Sequence, residues 1–270
     1  MHRNLLSDIR RLRPIVHCIT NHVTANDCAN ILLACGASPV MADAPEEAAE
    51  ITAGAQALVL NLGTPSANSI EAMLKAGSMA NQKGIPVLLD PVGAGASAFR
   101  RDAVRRLLSA VRLTAVRGNL AEIRCLSEVN GYAAGVDSDA DNPEDALRYA
   151  NLLAKRLGTV ITVSGGEDIV TDGKIVFRIA NGSPVMRQIT GAGCMLSALA
   201  GAFLAADASA EGMAYAVCAM GIAGELAAAR MTETDGNASC RNYLIDAVYN
   251  MTDSKIAAYE RVKAYGSGYC

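Results

Sequence analysis

The feature that most restricts the fold of this chain is the alternation of short apolar runs with longer segments of helical period. Short apolar runs are typical of buried strands, and the amphipathic segments between them are typical of helices that connect parallel strands. The pattern predicts an α/β fold in three layers, a mainly parallel sheet flanked by helices. The predicted strands are 15–20, 39–42, 57–61, 86–90, 114–117 and 159–164, and the predicted helices are 25–35, 46–55, 66–83, 98–110, 120–129 and 143–157.

The pattern changes after Ser164. Segments 168–171 and 174–179 are predicted to form a hairpin around Asp172-Gly173, because Asp-Gly between apolar strands is a strong hairpin signal. Alanine-rich helices are expected from about Gly193 onward, and 131–143 reads as a surface loop. No repeat or break in composition divides the chain, so a single domain covering residues 1–270 is expected.

Composition excludes several functional classes. The formal net charge is −3 and no long run of Lys or Arg occurs, so a nucleic-acid partner is not expected. Segments 195–206 and 212–224 are shorter than the roughly 18–20 residues that a membrane-spanning helix needs, so both are interpreted as core helices. The arginine-containing N-terminus resembles an amphipathic helix more than a signal peptide, and the eight cysteines include no C-x-x-C pair. A cytoplasmic protein with no membrane partner is expected.

Ligands of parallel sheets bind at the carboxyl ends of the strands, so the residues that follow each strand are the candidates for function. Asp90 ends a predicted strand and precedes a loop that contains Gly93 and Gly95. A carboxylate at this place can hold Mg²⁺ or a metal-bound water beside phosphates. The structural alternative is an aspartate that caps a helix or a turn. The Gly93-x-Gly95-x-x-Ala98 spacing matches the dinucleotide fingerprint weakly, because it follows about the fourth strand and not the first.

Arg117 ends the next predicted strand, and Asn119 and Glu122 follow it. Asn119 and Glu122 have the three-residue spacing of a capping box, which explains both without any function. The functional alternative gives Arg117 to nucleotide phosphates and Glu122 to the water shell of a metal ion.

The strongest local signal is the segment Thr190-Gly-Ala-Gly-Cys194, which is followed at once by an apolar helix. Glycines let backbone N–H groups approach an anion closely, and the helix dipole adds partial positive charge. A phosphoryl group in transfer needs such an environment. The thiol of Cys194, in the first helical turn, is expected to have a lowered pKa and to accept a proton. The structural alternative is a small buried residue beside glycines that serve packing.

Taken together, the motifs resemble the hydroxyethylthiazole kinase family within the ribokinase-like superfamily. The matching segments, in order, are HCITN at 17–21, GASPVMA at 36–42, NLGT at 61–64, DPVGAGA at 90–96, RGN at 117–119, GVDS at 135–138, VTDG at 170–173, NG at 181–182 and TGAGC at 190–194. The resemblance covers about residues 15–205. It implies phosphorylation of the hydroxyl of 5-(2-hydroxyethyl)-4-methylthiazole by ATP with Mg²⁺ in thiamine biosynthesis, in a homotrimer whose active sites lie between subunits.

The resemblance also implies roles for individual residues. The thiazole would contact the backbone of Met41 and Gly191 and a pocket lined by Asn21 and Val23. ATP would contact Arg117 and Ser164, and Mg²⁺ would be served by Asp90 and Glu122. Cys194 would occupy the position at which the superfamily usually has a catalytic aspartate. The sequence departs from the family pattern at Ser164, Leu120 and Ser183, where threonine, a small residue and histidine are usual.

Three other functions remain open at the level of sequence. A cysteine hydrolase or transferase would use Cys194 with His17 or His22 and would need no ATP. A thiazole or thiamine sensor would bind its ligand without forming ADP. A hydroxymethylpyrimidine or pyridoxal kinase would share the superfamily. The chain contains no Walker-type P-loop, so any ATP phosphates must be held by Arg117, magnesium and the amides of 191–194.

Overall fold

A single nine-stranded sheet forms the centre of the molecule, whose computed structural model describes residues 4–129 and 142–266. The strands are β1 (Ile15–Ile19), β2 (Ser38–Val40), β3 (Ala57–Asn61), β4 (Val87–Asp90), β5 (Ala115–Asn119), β6 (Val160–Ser164), β7 (Asp168–Thr171), β8 (Ile175–Ile179) and β9 (Val262–Gly266). Their order is β2-β1-β3-β4-β5-β6-β7-β8-β9. Strands β1 to β6 pair in parallel, and β7, β8 and β9 extend the sheet antiparallel.

Helices cover both faces of this sheet. They are α1 (Leu5–Leu12), α2 (Ala25–Cys35), α3 (Ala48–Ala53), α4 (Ala67–Lys83), α5 (Ala98–Ala110), α6 (Leu120–Val129), α7 (Pro143–Leu157), α8 (Ala192–Ala206), α9 (Ala210–Arg230), α10 (Asn237–Tyr249) and α11 (Asp253–Tyr259), with a 3-10 helix at Pro184–Gln188. One core lies between the sheet and α1, α2 and α8 to α11. The other lies between the sheet and α3 to α7. The predicted three-layer α/β sandwich is confirmed.

Side chains of each central strand enter the two cores alternately. In β3, Leu58 and Leu60 enter one core, whereas Ala57 and Val59 enter the other. Successive side chains of a strand point to opposite faces, so a strand buried on both faces has apolar residues throughout. This explains why the apolar runs of the sequence are continuous and not alternating.

Most predicted elements are present, with differences at their ends. Helices α2, α5, α6 and α7 begin and end at the predicted residues. Ser66 was predicted as helical but is the N-cap of α4, where its Oγ accepts a hydrogen bond from Ser69 N at 3.0 Å. The predicted helix 46–55 is shortened to α3, and β9 was not predicted. The loop predicted at 131–143 and the GVDS motif at 135–138 lie largely or wholly outside the described residues.

The two alanine-rich segments examined as membrane candidates are α8 and α9. Helix α9 has 21 residues, longer than the predicted 212–224, and its length and composition would allow it to cross a membrane. However, 78% of its most apolar window is buried inside the protein. Both helices therefore serve as core helices, as expected. The cysteines among the described residues are all free.

A glycine allows α8 to lie close against the sheet. A Cβ atom at Gly201 would come within 2.6 Å of Val59 Cγ2 and 3.0 Å of Val16 Cγ1. Glycine to alanine inside a helix normally stabilises a protein by about 0.5–1 kcal/mol. Here we expect Gly201→Ala to destabilise it by about 1–3 kcal/mol through overpacking. Urea denaturation would measure the change, and a gain in stability would contradict this packing.

Candidate active site

The carboxyl ends of four parallel strands bring polar side chains to one edge of the sheet. Asn61 at the end of β3 is in register with Asp90 at the end of β4, and Asn119 at the end of β5 with Ser164 at the end of β6. The N-terminus of α8 lies against the same edge, because Ser197 of α8 donates a hydrogen bond to Asp90. The expected gathering of strand-end residues around the TGAGC segment is therefore present.

Asp90 lies at the centre of this cluster and is completely buried. Its Oδ2 accepts hydrogen bonds from Asn61 Nδ2 at 2.9 Å and from Ser197 Oγ at 2.7 Å, and it lies 3.7 Å from Arg117 Nη1. Burial raises the pKa of Asp90 to about 6, against the opposing effect of Arg117. Neither of these hydrogen bonds caps a helix or a turn, so they do not support the structural alternative for Asp90.

The other carboxylate oxygen of Asp90, Oδ1, is buried and has no hydrogen-bond partner. A buried polar atom without a partner is unusual and requires an explanation such as a ligand, ion or water. The described residues contain no group of three or more His, Cys, Asp or Glu side chains able to hold a metal. Magnesium is commonly bound by one or two carboxylates together with substrate phosphates, so the unpartnered oxygen of Asp90 fits such an ion.

Arg117 links Asp90 to the next strand and to α8. Its guanidinium is mostly buried, and Nε donates to Ser164 Oγ at 3.0 Å. A Cβ atom at Gly193 would lie only 2.5 Å from Arg117 Nη1. A side chain at the second glycine of the TGAGC segment would therefore displace the guanidinium from its place against the first turn of α8. Arg117, Ser164 and the helix N-terminus form one unit that can bind an anion.

Glu122 forms the predicted capping box with Asn119. Glu122 N donates to Asn119 Oδ1 and Asn119 N donates to Glu122 Oε2, each at 2.9 Å. The second oxygen, Oε1, accepts a hydrogen bond from Gly93 N at 2.9 Å. Glu122 thereby holds the glycine-containing loop that follows Asp90. Its negative charge contributes to the raised pKa of Asp90, so the two carboxylates are close enough to interact.

Gly191 is the N-cap of α8 and has a positive φ of 82°. A Cβ atom there would lie 2.1 Å from Thr24 Cγ2. Glycine is therefore required both by the backbone conformation and by the close approach of Thr24. The first N–H groups of a helix have no partner within the helix. Ala192 N donates to the carbonyl oxygen of Ile189 at 3.3 Å, so the amides of Gly193 and Cys194 are the ones available to a ligand.

Cys194, in the first turn of α8, is held by two side-chain amides. Asn21 Nδ2 lies 3.2 Å and Asn61 Nδ2 3.3 Å from its Sγ. Both amide orientations are fixed, because Asn21 Oδ1 accepts from Thr24 and Asn61 Oδ1 accepts from Gly63 N. The sulfur of Cys194 therefore faces two donors. Asn61 was not among the predicted site residues, although its place at a strand end could have indicated it.

The expectation that Cys194 has a lowered pKa is wrong. Burial, followed by the negative charge of Asp90, raises the pKa of the thiol. The hydrogen bonds from Asn61, Thr24 and Asn21 oppose this change but do not overcome it. The position of Cys194 at a helix N-terminus did not show that the buried carboxylate of Asp90 lies close to its thiol. Cys194 is therefore a neutral thiol at neutral pH.

The two histidines proposed for a cysteine nucleophile do not serve it. His17 is buried, with Nδ1 2.8 Å from Thr52 Oγ1 and Nε2 2.7 Å from the carbonyl oxygen of Ala42. Burial lowers its pKa. His22 is exposed, and the described hydrogen bonds of Cys194 Sγ come from amides and not from an imidazole. A nucleophilic cysteine needs an adjacent base, so this arrangement argues against a cysteine hydrolase.

A cavity of about 610 Å³ opens beside these residues. Arg117, Asn119 and Ser164 line it together with the start of α8 at Gly191 and Gly193. Its opposite wall is the segment Ala180–Arg187, and its apolar part is formed by Ile189, Leu196, Val217 and Met220. The volume and the mixture of apolar and polar groups are typical of a small-molecule site.

The cavity also contains Asp168, which had been predicted only as part of a strand. Its Oδ1 accepts a hydrogen bond from Gly165 N at 2.9 Å. Burial raises the pKa of Asp168 to about 6, and the positive charge of Arg117 partly opposes this. Arg117 thus interacts with two carboxylates.

Two predicted residues lie apart from this cluster. Met41 follows β2 and packs, half-buried, against the core that contains α8. Val23 precedes α2 and has 66% of its surface exposed. Among the described contacts, none joins either residue to Asp90, Arg117 or Cys194. If Met41 and Val23 bind substrate, they do so without contacting these three side chains.

Comparison with known proteins agrees with this geometry. The model of the hydroxyethylthiazole kinase family matches residues 6–254. The chain belongs to the hydroxyethylthiazole kinase family. A hydroxyethylthiazole kinase of Clostridium acetobutylicum is 45% identical over 98% of this chain and 100% of that protein.

Solved structures add to this assignment. The structure of a hydroxyethylthiazole kinase protein from Pyrococcus horikoshii has 37% identity and a TM-score of 0.89, covering 97% of this chain and 98% of that one. A ribokinase-like superfamily protein of Enterococcus faecalis has 15% identity and a TM-score of 0.61, covering 96% and 95%, and shows the fold alone. The predicted ribokinase-like fold is confirmed. So is the prediction of a phosphotransferase of the thiazole kinase family in thiamine salvage.

The raised pKa of Asp90 predicts a measurable dependence of stability on pH. Between about pH 4 and 6 the unfolded chain ionises this carboxyl while the folded protein keeps it protonated. Asp90 therefore makes the protein less stable as the pH rises through this window. We expect Asp90→Asn to gain stability relative to the wild type from pH 4 to pH 7, by up to about 3 kcal/mol.

Urea denaturation at the two pH values, with EDTA present, would measure this difference. Asp168 titrates in both proteins, so the part of its contribution that does not depend on the charge of Asp90 cancels. A difference in stability that stays constant with pH would contradict the burial of an ionisable Asp90.

Proposed function

We propose that this protein transfers the γ-phosphoryl group of ATP to the hydroxyl of 5-(2-hydroxyethyl)-4-methylthiazole. One observation carries the proposal: Arg117 lies against Gly193 at the start of α8, on the wall of a cavity large enough for a nucleotide. This juxtaposes a fixed cation with free helical amides beside Cys194. Phosphoryl transfer depends mostly on positioning and on neutralisation of charge, and this arrangement supplies both.

ATP would occupy the cavity with its phosphates toward Arg117. The guanidinium is held by Ser164, so it is pre-oriented for phosphate oxygens. The amides that follow Gly191 would face the transferred group as its charge grows, and the Gly191 and Met41 backbones would bind the thiazole. Asn21 and Val23 would line the thiazole pocket.

Asp90 and Glu122 would bind magnesium or its water shell. The unpartnered Oδ1 of Asp90 is the atom that fits such an ion, and Glu122 already orients the neighbouring loop through Gly93. When bound, the ion would neutralise charge on the phosphates. Asn61 and Ser197 hold the Asp90 carboxylate in one orientation for this purpose.

Cys194 would orient the substrate hydroxyl. Its raised pKa makes it a poor proton acceptor, because a neutral thiol must first lose its own proton. The loose transition state of phosphoryl transfer needs little help from a base, since the hydroxyl proton leaves late. A thiol fixed by Asn21 and Asn61 can therefore suffice at this position.

The assembly is proposed to be a homotrimer with active sites between subunits. Val23, which precedes α2, and Leu33 on α2 are 66% and 58% exposed, and burial of such apolar side chains favours association. We further propose that residues 1–270 form one ribokinase-like domain and that the enzyme is soluble and cytoplasmic. Light scattering of the purified protein would test the trimer.

The reaction itself is tested by ADP release with magnesium over a panel of thiazole, pyrimidine and pyridoxal alcohols. We expect the thiazole alcohol to give a kcat/KM at least tenfold above the other alcohols. Binding of the thiazole without ADP formation would identify a sensor instead. A preference for a pyrimidine or pyridoxal alcohol would overturn the proposed substrate.

A carboxylate at position 194 would be a better proton acceptor than the neutral thiol. We therefore expect Cys194→Asp to retain turnover or to raise it up to about tenfold, since general-base catalysis contributes typically 10²–10⁴-fold where it is fully used. Steady-state ADP release would measure kcat, and circular dichroism would establish that the variant is folded.

Cys194→Ser is the matched control, because it keeps a small hydrogen-bonding group without adding a charge. We expect its kcat to stay within about tenfold of the wild type, since an orienting group is not lost. A folded Cys194→Asp protein without activity would contradict the proposed role of this position.

A further inference from the structure

One wall of the cavity is held from behind by residues that do not line it. This wall is the segment Ala180–Arg187, which leaves β8 and includes most of the 3-10 helix. Within it, Gly182 has a positive φ of 144°. Residues of this conformation are almost always glycine, so this backbone conformation is a defined feature of the chain.

Helix α9 packs closely against this wall because two of its residues lack side chains. A Cβ atom at Gly221 would lie 2.6 Å from the carbonyl oxygen of Asn181, and one at Gly224 would lie 2.1 Å from Met186 Sδ. Glu225 follows on the same side of the helix. Its Oε1 accepts hydrogen bonds from Gly182 N at 2.7 Å and from Asn181 Nδ2 at 3.3 Å.

The segment that precedes β9 completes the support. The guanidinium of Arg261 contacts both oxygens of Glu225, at 2.6 and 3.2 Å, and donates to the carbonyl oxygen of Ala180 at 2.7 Å. The backbone N–H of Arg261 donates to Asn181 Oδ1, also at 2.7 Å. Asn181 Nδ2 in turn donates to the carbonyl oxygen of Tyr259 at 2.9 Å. Ala180, Asn181 and Gly182 are thus held by Glu225 and Arg261, neither of which lines the cavity.

Such an ion pair contributes little to global stability, because half of the Arg261 side chain is exposed. Its effect on the wall is different, since the carboxylate also binds the Gly182 amide through a charge-assisted hydrogen bond. Loss of the Glu225 charge would weaken the hydrogen bonds that hold Asn181-Gly182 and would leave the buried core unchanged. A small displacement of a binding wall is enough to weaken a fixed ligand substantially.

We propose that Glu225 and Arg261 are positioning residues that set the affinity for the nucleotide by fixing the wall at Asn181-Gly182. The inference rests on the proposed function, in which this cavity binds ATP. It assigns a role to Arg261, which follows the residues 15–205 that carry the recognised motifs. Cys194, beside which the thiazole hydroxyl would lie in the proposed function, does not line the cavity, so we expect loss of the pair to weaken nucleotide binding more than thiazole binding.

The test compares Michaelis constants for both substrates in the full-length enzyme. Glu225→Gln keeps the shape of the side chain and removes its charge, and Arg261→Met removes the partner. We expect each to raise the KM for ATP about five- to tenfold, with the KM for the thiazole alcohol within twofold and kcat within about threefold of wild type. Arg261→Lys, which keeps the charge, is expected to recover at least half of the loss in affinity.

The double variant Glu225→Gln/Arg261→Met should have a KM for ATP no higher than that of the single variant with the higher KM, because the two residues act as one unit. The matched control is Asp246→Asn. It removes the partner of Arg230, which lies on the same helix α9 in an exposed ion pair of 2.8 Å. Since this pair has no described contact with the wall, its loss should change neither KM.

The outcomes separate this inference from the proposed function. Variants with a KM for ATP within twofold of wild type, or with both Michaelis constants raised equally, would overturn the positioning role. If wild type turned over no thiazole alcohol, equilibrium dialysis with ATP alone would still test the pair through weaker binding by the variants. If wild type bound no ATP, the inference would be wrong together with its premise. If Glu225→Gln failed to fold, Arg261→Met and Arg261→Lys alone would decide.

Discussion

The buried carboxylate of Asp90 joins the sheet to the helix that carries the candidate chemistry. Ser197 of α8 donates to it from one side and Asn61 of β3 from another. Ser197 follows Cys194 by three residues, so the two lie on the same face of the helix, one turn apart. Fixing Ser197 over Asp90 therefore fixes the height and rotation of the first turn of α8. The positions of Cys194 and of the helical amides follow from this contact.

A chain of amides with determined orientation extends the same constraint to the thiol. A carboxylate only accepts hydrogen bonds, so Asn61 must present its NH₂ group to Asp90, and the same group then contacts Cys194. Asn61 Oδ1 is left to accept from Asn21, whose own NH₂ group also reaches the sulfur. Neither amide can be reversed without placing an oxygen against an acceptor. The site is therefore rigid before any ligand binds.

The sequence predicted the layers, the strand ends and the residues at them, because these depend on local pattern and on the geometry of parallel sheets. The capping box of Asn119 and Glu122 was likewise readable, since both partners lie within one turn. The pKa of Cys194 was not, because it depends on burial and on Asp90, 104 positions earlier in the sequence. Strand β9 was missed for a different reason. It is an exposed edge strand, and its pairing with β8 leaves no apolar run in the sequence.

The charges around Arg117 determine how the proposed anion site would respond to a ligand. Asp90 and Asp168 both interact with this arginine, yet burial raises the pKa of each to about 6. The two carboxylates compete for one cation, and neither is fully compensated. A phosphate that approached Arg117 would add negative charge, which favours protonation of its carboxylate neighbours or the arrival of a further cation. In the proposed function, binding of the nucleotide and binding of magnesium would therefore be electrostatically coupled, and the unpartnered oxygen of Asp90 is the atom through which that coupling would act.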